Sequence, residues 1–187
     1  MAYSKTTERA AAVSGTHLHT IMFQSPSNSV GPKLVVMSGV DFNGKAYRLE
    51  YLWSFSDAGR TSSKRPRQIN DCTVRALALT CSLPYDDAYD ILKVAGRKSS
   101  RGFQFSSWLN AQIWAERISF PAVKGQRRMN PASFVQQFPK GRYICQVAKH
   151  VFAVVDGLVI DSFESRPDRC IYSAWTISAP YPPIATI

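Results

Sequence analysis

An α+β fold is predicted for this chain by three observations: an apolar helix pattern near its middle, strand alternation around a tight-turn signal toward its C-terminus, and a second hairpin signal ahead of both. The helix pattern begins at Cys72, where Val74, Leu77, Ala78 and Cys81 recur at helical spacing. The C-terminal signal is HVFAVVDGLVIDSF, with Asp156-Gly157 at its centre. The N-terminal one is LVVMSGV followed by Asn43-Gly44 and a run of alternating aromatic residues. Together they predict helices from Cys72 to about Gln112 packed on an antiparallel sheet from Arg142 to Ile177. Residues 1–60 read as an N-terminal arm and β-hairpin annex, and residues 61–187 as the main domain.

Residues 1–32 are rich in Ser and Thr, close with Gly31-Pro32 and hold no sustained period, so they read as an arm; His17 and His19 fall within it. From Lys33 the pattern turns to strand, and Tyr47, Leu49, Tyr51, Trp53 and Phe55 then line one face that the rest of the fold must cover. Ser56 to Arg67 is a basic loop. Asn70 and Asp71 are N-cap residue types that start a buried helix at Cys72, with Thr73, Arg75 and Thr80 left to face water. Ser82 can cap and Pro84 can open a second helix, Tyr85 to Ala95, with Asp86 and Asp87 in its first turn and Gly96 at its end. A third helix is expected from Ser106 to about Trp114, with Trp108, Leu109 and Ile113 inward. Asn130-Pro131 opens a short helix through Phe134, Val135 and Phe138; a strand carrying Tyr143, Cys145 and Val147 follows, up to Ala148.

The chemistry-bearing residues emerge from these elements. A cysteine at a helix start meets unpaired backbone N–H groups and the positive end of the dipole, which favour the thiolate. Cys72 has that setting, whereas Cys81 belongs to a core stripe, Cys145 to a strand and Cys170 to an edge. A free cysteine can equally be a small core residue, and what favours a nucleophile lies downstream. A two-residue turn at Asp156-Gly157 pairs Val155 with Leu158, and counting outward pairs Phe152 with Asp161. His150, Phe152, Asp161 and Phe163 then share one face, and His150 and Asp161 come within side-chain reach. A thiol, an imidazole to take its proton and a carboxylate to orient that imidazole form a nucleophilic triad.

The segments QINDC, KHVFAVVDG and VIDSF, in the order Cys, His, Asp, resemble the papain-like cysteine peptidases, especially their compact C39-like members from bacteria and bacteriophages. The resemblance implies an α+β papain-like fold with the nucleophile helix packed against the sheet, and a thiol hydrolase acting on a peptide, isopeptide or related acyl bond. It implies Cys72 as nucleophile, His150 as general base and Asp161 as its partner. Members of that family usually carry an oxyanion-hole glutamine six residues ahead of the cysteine; Pro66 stands there in this chain, and Gln68 is four ahead. Gln68 together with the Cys72 backbone N–H, or the amide of Asn70, would then supply the donors. The likeness further implies a phage or mobile-element protein working in a bacterial cytosol on a protein or peptide substrate.

Composition bounds the alternatives. A formal charge of +10 and a pI near 9.7 favour an acidic partner, so a catalytically inactive basic binding module for nucleic acid or an acidic host protein, as a phage accessory protein, is the competing reading. Lys64, Arg65, Arg67, Arg97, Lys98 and Arg101 are the candidate anion-binding rim. The cysteines and histidines show no metal-ligand spacing, so neither a metal nor another cofactor is expected. No signal-peptide pattern opens the chain and no long apolar run occurs, from which a reducing, cytoplasmic protein without membrane contact is expected.

Overall fold

The computed structural model describes residues 31–41, 44–99, 101 and 103–178; residues 1–30 of the N-terminal arm, with His17 and His19, and Asn43 of the hairpin signal lie outside these. Among them the chain forms one mixed α+β unit. Its strands are β1 (Lys33–Val40), β2 (Ala46–Phe55), β3 (Ala115–Ser119), β4 (Arg142–Val147), β5 (His150–Val155), β6 (Leu158–Asp161) and β7 (Ser173–Ile177). Its helices are α1 (Cys72–Cys81), α2 (Tyr85–Val94), α3 (Phe105–Asn110) and α4 (Pro131–Gln137).

All seven strands belong to one sheet in the order β1-β2-β6-β5-β4-β7-β3. The two C-terminal hairpins obey local turn chemistry. Asp156 and Gly157 both adopt positive φ, as a type I′ turn requires, and Val155 pairs with Leu158. A second two-residue turn pairs Val147 with His150, so His150 is the first residue of β5.

The strands from Arg142 to Ile177 pair antiparallel throughout, as expected, and a parallel pair joins them to the N-terminal hairpin. β2 runs alongside β6, with Leu52 opposite Leu158 and Phe55 opposite Asp161, so the N-terminal hairpin continues the main sheet across residue 60. The alternation of β2 shows why: Tyr51 and Trp53 are buried in the core shared with β5 and β6. β3 is a further addition, pairing antiparallel with β7 at the opposite edge.

Strand alternation divides the sheet into two apolar faces. On one, Ile144, Val151, Trp175 and Ile177 meet Val74, Leu77 and Cys81 of α1, Leu92 of α2 and Leu109 of α3. On the other, Tyr143, Cys145, Phe152 and Val154 meet Ala132 and Phe134 of α4. The result is three layers, with α1 laid chiefly over β5.

Several local expectations are corrected by this packing. Arg75 and Thr80 are buried, because α1 is enclosed by α2 on one side and the sheet on the other; Thr80 turns its hydroxyl onto the Ala76 carbonyl, 2.7 Å away. Ser82 takes a left-handed conformation as the C-cap of α1, and Pro84 holds the N-cap position of α2. α3 stops at Asn110, so the helical spacing that would turn Ile113 inward is broken; Ile113 is fully exposed and Trp114 is buried instead. Asn130 caps α4 as its residue type suggests, its side-chain oxygen accepting from the Ser133 N–H at 3.0 Å.

Candidate active site

Cys72 is the first residue of α1, and the helix brings it to the end of the sheet where β5 begins and β6 ends. Its thiol is half-buried and hydrogen-bonded to the His150 imidazole and to the backbone N–H of Val151. His150 Nε2 lies 2.5 Å from Asp161 Oδ2, which leaves Nδ1 for the sulfur. The structure thus brings together the three residues that the sequence placed on α1, β5 and β6. Phe163 sets its ring edge against the imidazole, with centroids 6.4 Å apart, and remains exposed.

The electrostatics follow from these contacts. Burial works to raise the pKa of the Cys72 thiol, but the hydrogen bond and positive charge of His150, the Val151 N–H and the charge of Arg75 outweigh it, so the thiol falls below its ordinary value. Burial likewise works to lower the His150 pKa; its hydrogen bonds to Asp161 and Cys72, and their charges, prevail and raise it to about 9. Both shifts favour the same ion pair, a thiolate beside an imidazolium, over the neutral thiol and imidazole. The other buried thiols move the opposite way: burial pushes Cys81 up to about 12 and Cys145 well above the ordinary thiol range.

Asp71 departs from its expected role as a cap. It holds the N-cap position, yet its side chain makes no capping bond. Its carboxylate, only 2 % exposed, pairs with Arg75 through Oδ1 and accepts the Tyr85 hydroxyl at 2.8 Å through Oδ2, with Arg60 3.6 Å away. A buried carboxylate is far more costly unpaired than a helix end is uncapped, so the charge partner takes it. Arg75 in turn reaches Asp161, its Nη2 3.7 Å from Oδ1. Arg75 and Tyr85 were not singled out as site residues from the sequence; the one readable signal was the Asp71–Arg75 spacing of an i,i+4 ion pair.

The candidate oxyanion-hole residues lie just ahead of the helix. The Gln68 carboxamide is engaged with the Ser99 hydroxyl at 3.2 Å and the Ile69 carbonyl at 2.8 Å. Asn70 is exposed in a left-handed conformation at φ 52, and its carbonyl accepts from Arg97 at 3.1 Å. The backbone N–H of Cys72 is one of the first-turn donors that a helix leaves without an internal partner.

Of the candidate anion-binding rim, Arg65 and Arg97 are committed internally. Arg65 pairs with Asp86 and Asp90 and stacks on Tyr89, and Arg97 is buried against Tyr89 and the Asn70 carbonyl. Lys64, Arg67, Lys98 and Arg101 are exposed, as are Lys124, Arg127 and Arg128, with Arg127 stacked 3.7 Å from the Tyr47 ring. Among the described residues no cluster of His, Cys, Asp or Glu is placed to hold a metal ion, and no helix is long and apolar enough to cross a membrane. Comparisons with family models, with curated proteins and with solved structures found no match.

Proposed function

We propose that the protein is a papain-like thiol hydrolase, a cysteine peptidase cleaving a peptide, isopeptide or related acyl bond with Cys72, His150 and Asp161. The observation that carries this reading is the continuous contact from the Cys72 thiol through the His150 imidazole to the Asp161 carboxylate at the start of a buried helix. In the proposed reaction the Cys72 thiolate adds to the substrate carbonyl carbon, and the oxyanion is met by the Cys72 N–H, with Gln68 swung from Ser99 as second donor. The His150 imidazolium then protonates the departing amine or alcohol, leaving a thioester on Cys72. Water attacks that thioester with His150 as base; the acid leaves and the thiol is restored. No cofactor enters this scheme. The likeness to compact phage and bacterial peptidases further suggests a bacterial cytosol as the place of action.

The test is labelling of the intact protein with an electrophilic acyl probe near neutral pH, with the labelled site mapped by mass spectrometry. Selective labelling of Cys72 that is lost in Cys72→Ala and slowed in His150→Ala supports the reading; even labelling over the four cysteines overturns it. The exposed basic residues Lys124, Arg127 and Arg128 favour a second reading, a binding module for a nucleic acid or acidic protein on the same scaffold.

A further inference from the structure

Arg75 lies beside the proposed triad, and its surroundings are constrained by charge on both sides. It is 7 % exposed, and it stands between two carboxylates that are themselves 2 % and 3 % exposed, Asp71 and Asp161. One arm pairs with Asp71 Oδ1 and the other lies 3.7 Å from Asp161 Oδ1. That same Oδ1 accepts the Ser162 N–H at 2.7 Å, so it is held from two directions and Oδ2 is left to His150. Asp71 is itself anchored by the Tyr85 hydroxyl from α2.

We propose that Arg75 is a positioning residue of this site: by bridging Asp71 at the start of α1 to Asp161 at the end of β6, it sets the carboxylate that orients His150. The proposal rests on the hydrolase reading and adds to it a residue that acts through Asp161. A guanidinium suits the task because its planar fork can serve two carboxylates at once, whereas a lysine is a single point charge. The arrangement also ties the nucleophile's helix to β6, the strand that carries Asp161, through one buried side chain.

A simpler role must be separated from this one. The Arg75 charge also favours the Cys72 thiolate directly, alongside the His150 imidazole and the Val151 N–H of β5. Asp161 is faced by His150 from β5 and Arg75 from α1, and its charge is felt by the Tyr51 hydroxyl of β2, which itself donates to the Ser165 carbonyl. A direct charge effect does not depend on Asp161, whereas positioning does.

A double-mutant cycle distinguishes the two: Arg75→Gln, Asp161→Asn and the double variant, with the pH midpoint of Cys72 alkylation by iodoacetamide as readout. We expect Arg75→Gln to raise the midpoint by about one pH unit in the wild-type background and by less than about a third of a unit in Asp161→Asn. Arg75→Lys should resemble Arg75→Gln. Equal shifts in both backgrounds, no shift at all, or full rescue by lysine overturns the proposal. Where Arg75→Gln does not fold, the same cycle with Tyr85→Phe decides it, with a smaller upward shift that also disappears in Asp161→Asn. The underlying hydrolase reading is judged by a different contrast: if wild-type Cys72 reacts no faster than in His150→Ala, that reading fails, whereas a normal contrast with an additive cycle rejects only the role of Arg75.

Discussion

His150 Nε2 and Asp161 Oδ2 stand 2.5 Å apart across adjacent strands, the imidazole at the first residue of β5 and the carboxylate at the last residue of β6. Because this contact takes one ring nitrogen, the other is turned to Cys72 and the proton between sulfur and imidazole has a defined path. In the proposed mechanism the pair sets both the reactivity of the thiol and its pH range.

That pH range is the first prediction. Raising the pH through the lowered Cys72 value creates the thiolate, and raising it further through about 9 strips the proton from His150, which is then unable to protonate a leaving group. Acyl-probe turnover should therefore be bell-shaped, with its alkaline limb near pH 9. A profile that climbs monotonically past pH 10 would show that His150 does not act as the acid.

Removal of each triad side chain should have graded effects. Cys72→Ala should abolish turnover, and His150→Ala should lower it by roughly 10²–10⁴-fold, the ordinary contribution of a general acid–base. Asp161→Ala should cost less, since the imidazole remains present but loses its orientation. Steady-state kinetics on one acyl substrate ranks all three.

The oxyanion hole gives a sharper test of Gln68. If its amide leaves Ser99 to meet the oxyanion, Gln68→Ala should reduce kcat by about 10²–10³-fold with little change in KM, as loss of one such donor does elsewhere. Ser99→Ala, which only releases the glutamine, should keep kcat within a few-fold of wild type. An unchanged kcat in Gln68→Ala assigns the donor role to another group.

The two faces of the sheet should both matter for stability. Leu77 on α1 and Phe134 on α4 are each completely buried, in different cores. Leu77→Ala should lower stability by about 2–5 kcal/mol and Phe134→Ala by about 3–5 kcal/mol. Urea unfolding of the two variants and their combination measures both; the effects should be close to additive because the sheet separates the sites.

For the binding-module reading, weak association with single-stranded RNA should fall steeply between low and moderate salt as counterions are released. Substituting Lys124, Arg127 and Arg128 together with glutamine should weaken it and flatten the salt slope. Binding that ignores salt, or none at any salt, removes nucleic acid as a partner.

Residues close together in the chain determined much of what positions the candidate site. Asp156-Gly157 has turn chemistry that admits one register, and side-chain alternation then places His150 and Asp161 on a common face, whatever the rest of the molecule does. The start of α1 at Cys72 likewise follows from the residues on either side of it. Tertiary structure alone decided which distant groups answer these. The parallel pairing of β2 with β6 joins segments about a hundred residues apart and has no local signal, because a strand's alternation shows that a face is buried but not which strand lies beside it. The same holds for charge. Asp71 looks like a cap and Arg75 like a surface residue until α2 and the sheet enclose them, at which point an unpaired buried charge would cost several kcal/mol and the pair, with Asp161 beside it, becomes the favourable arrangement.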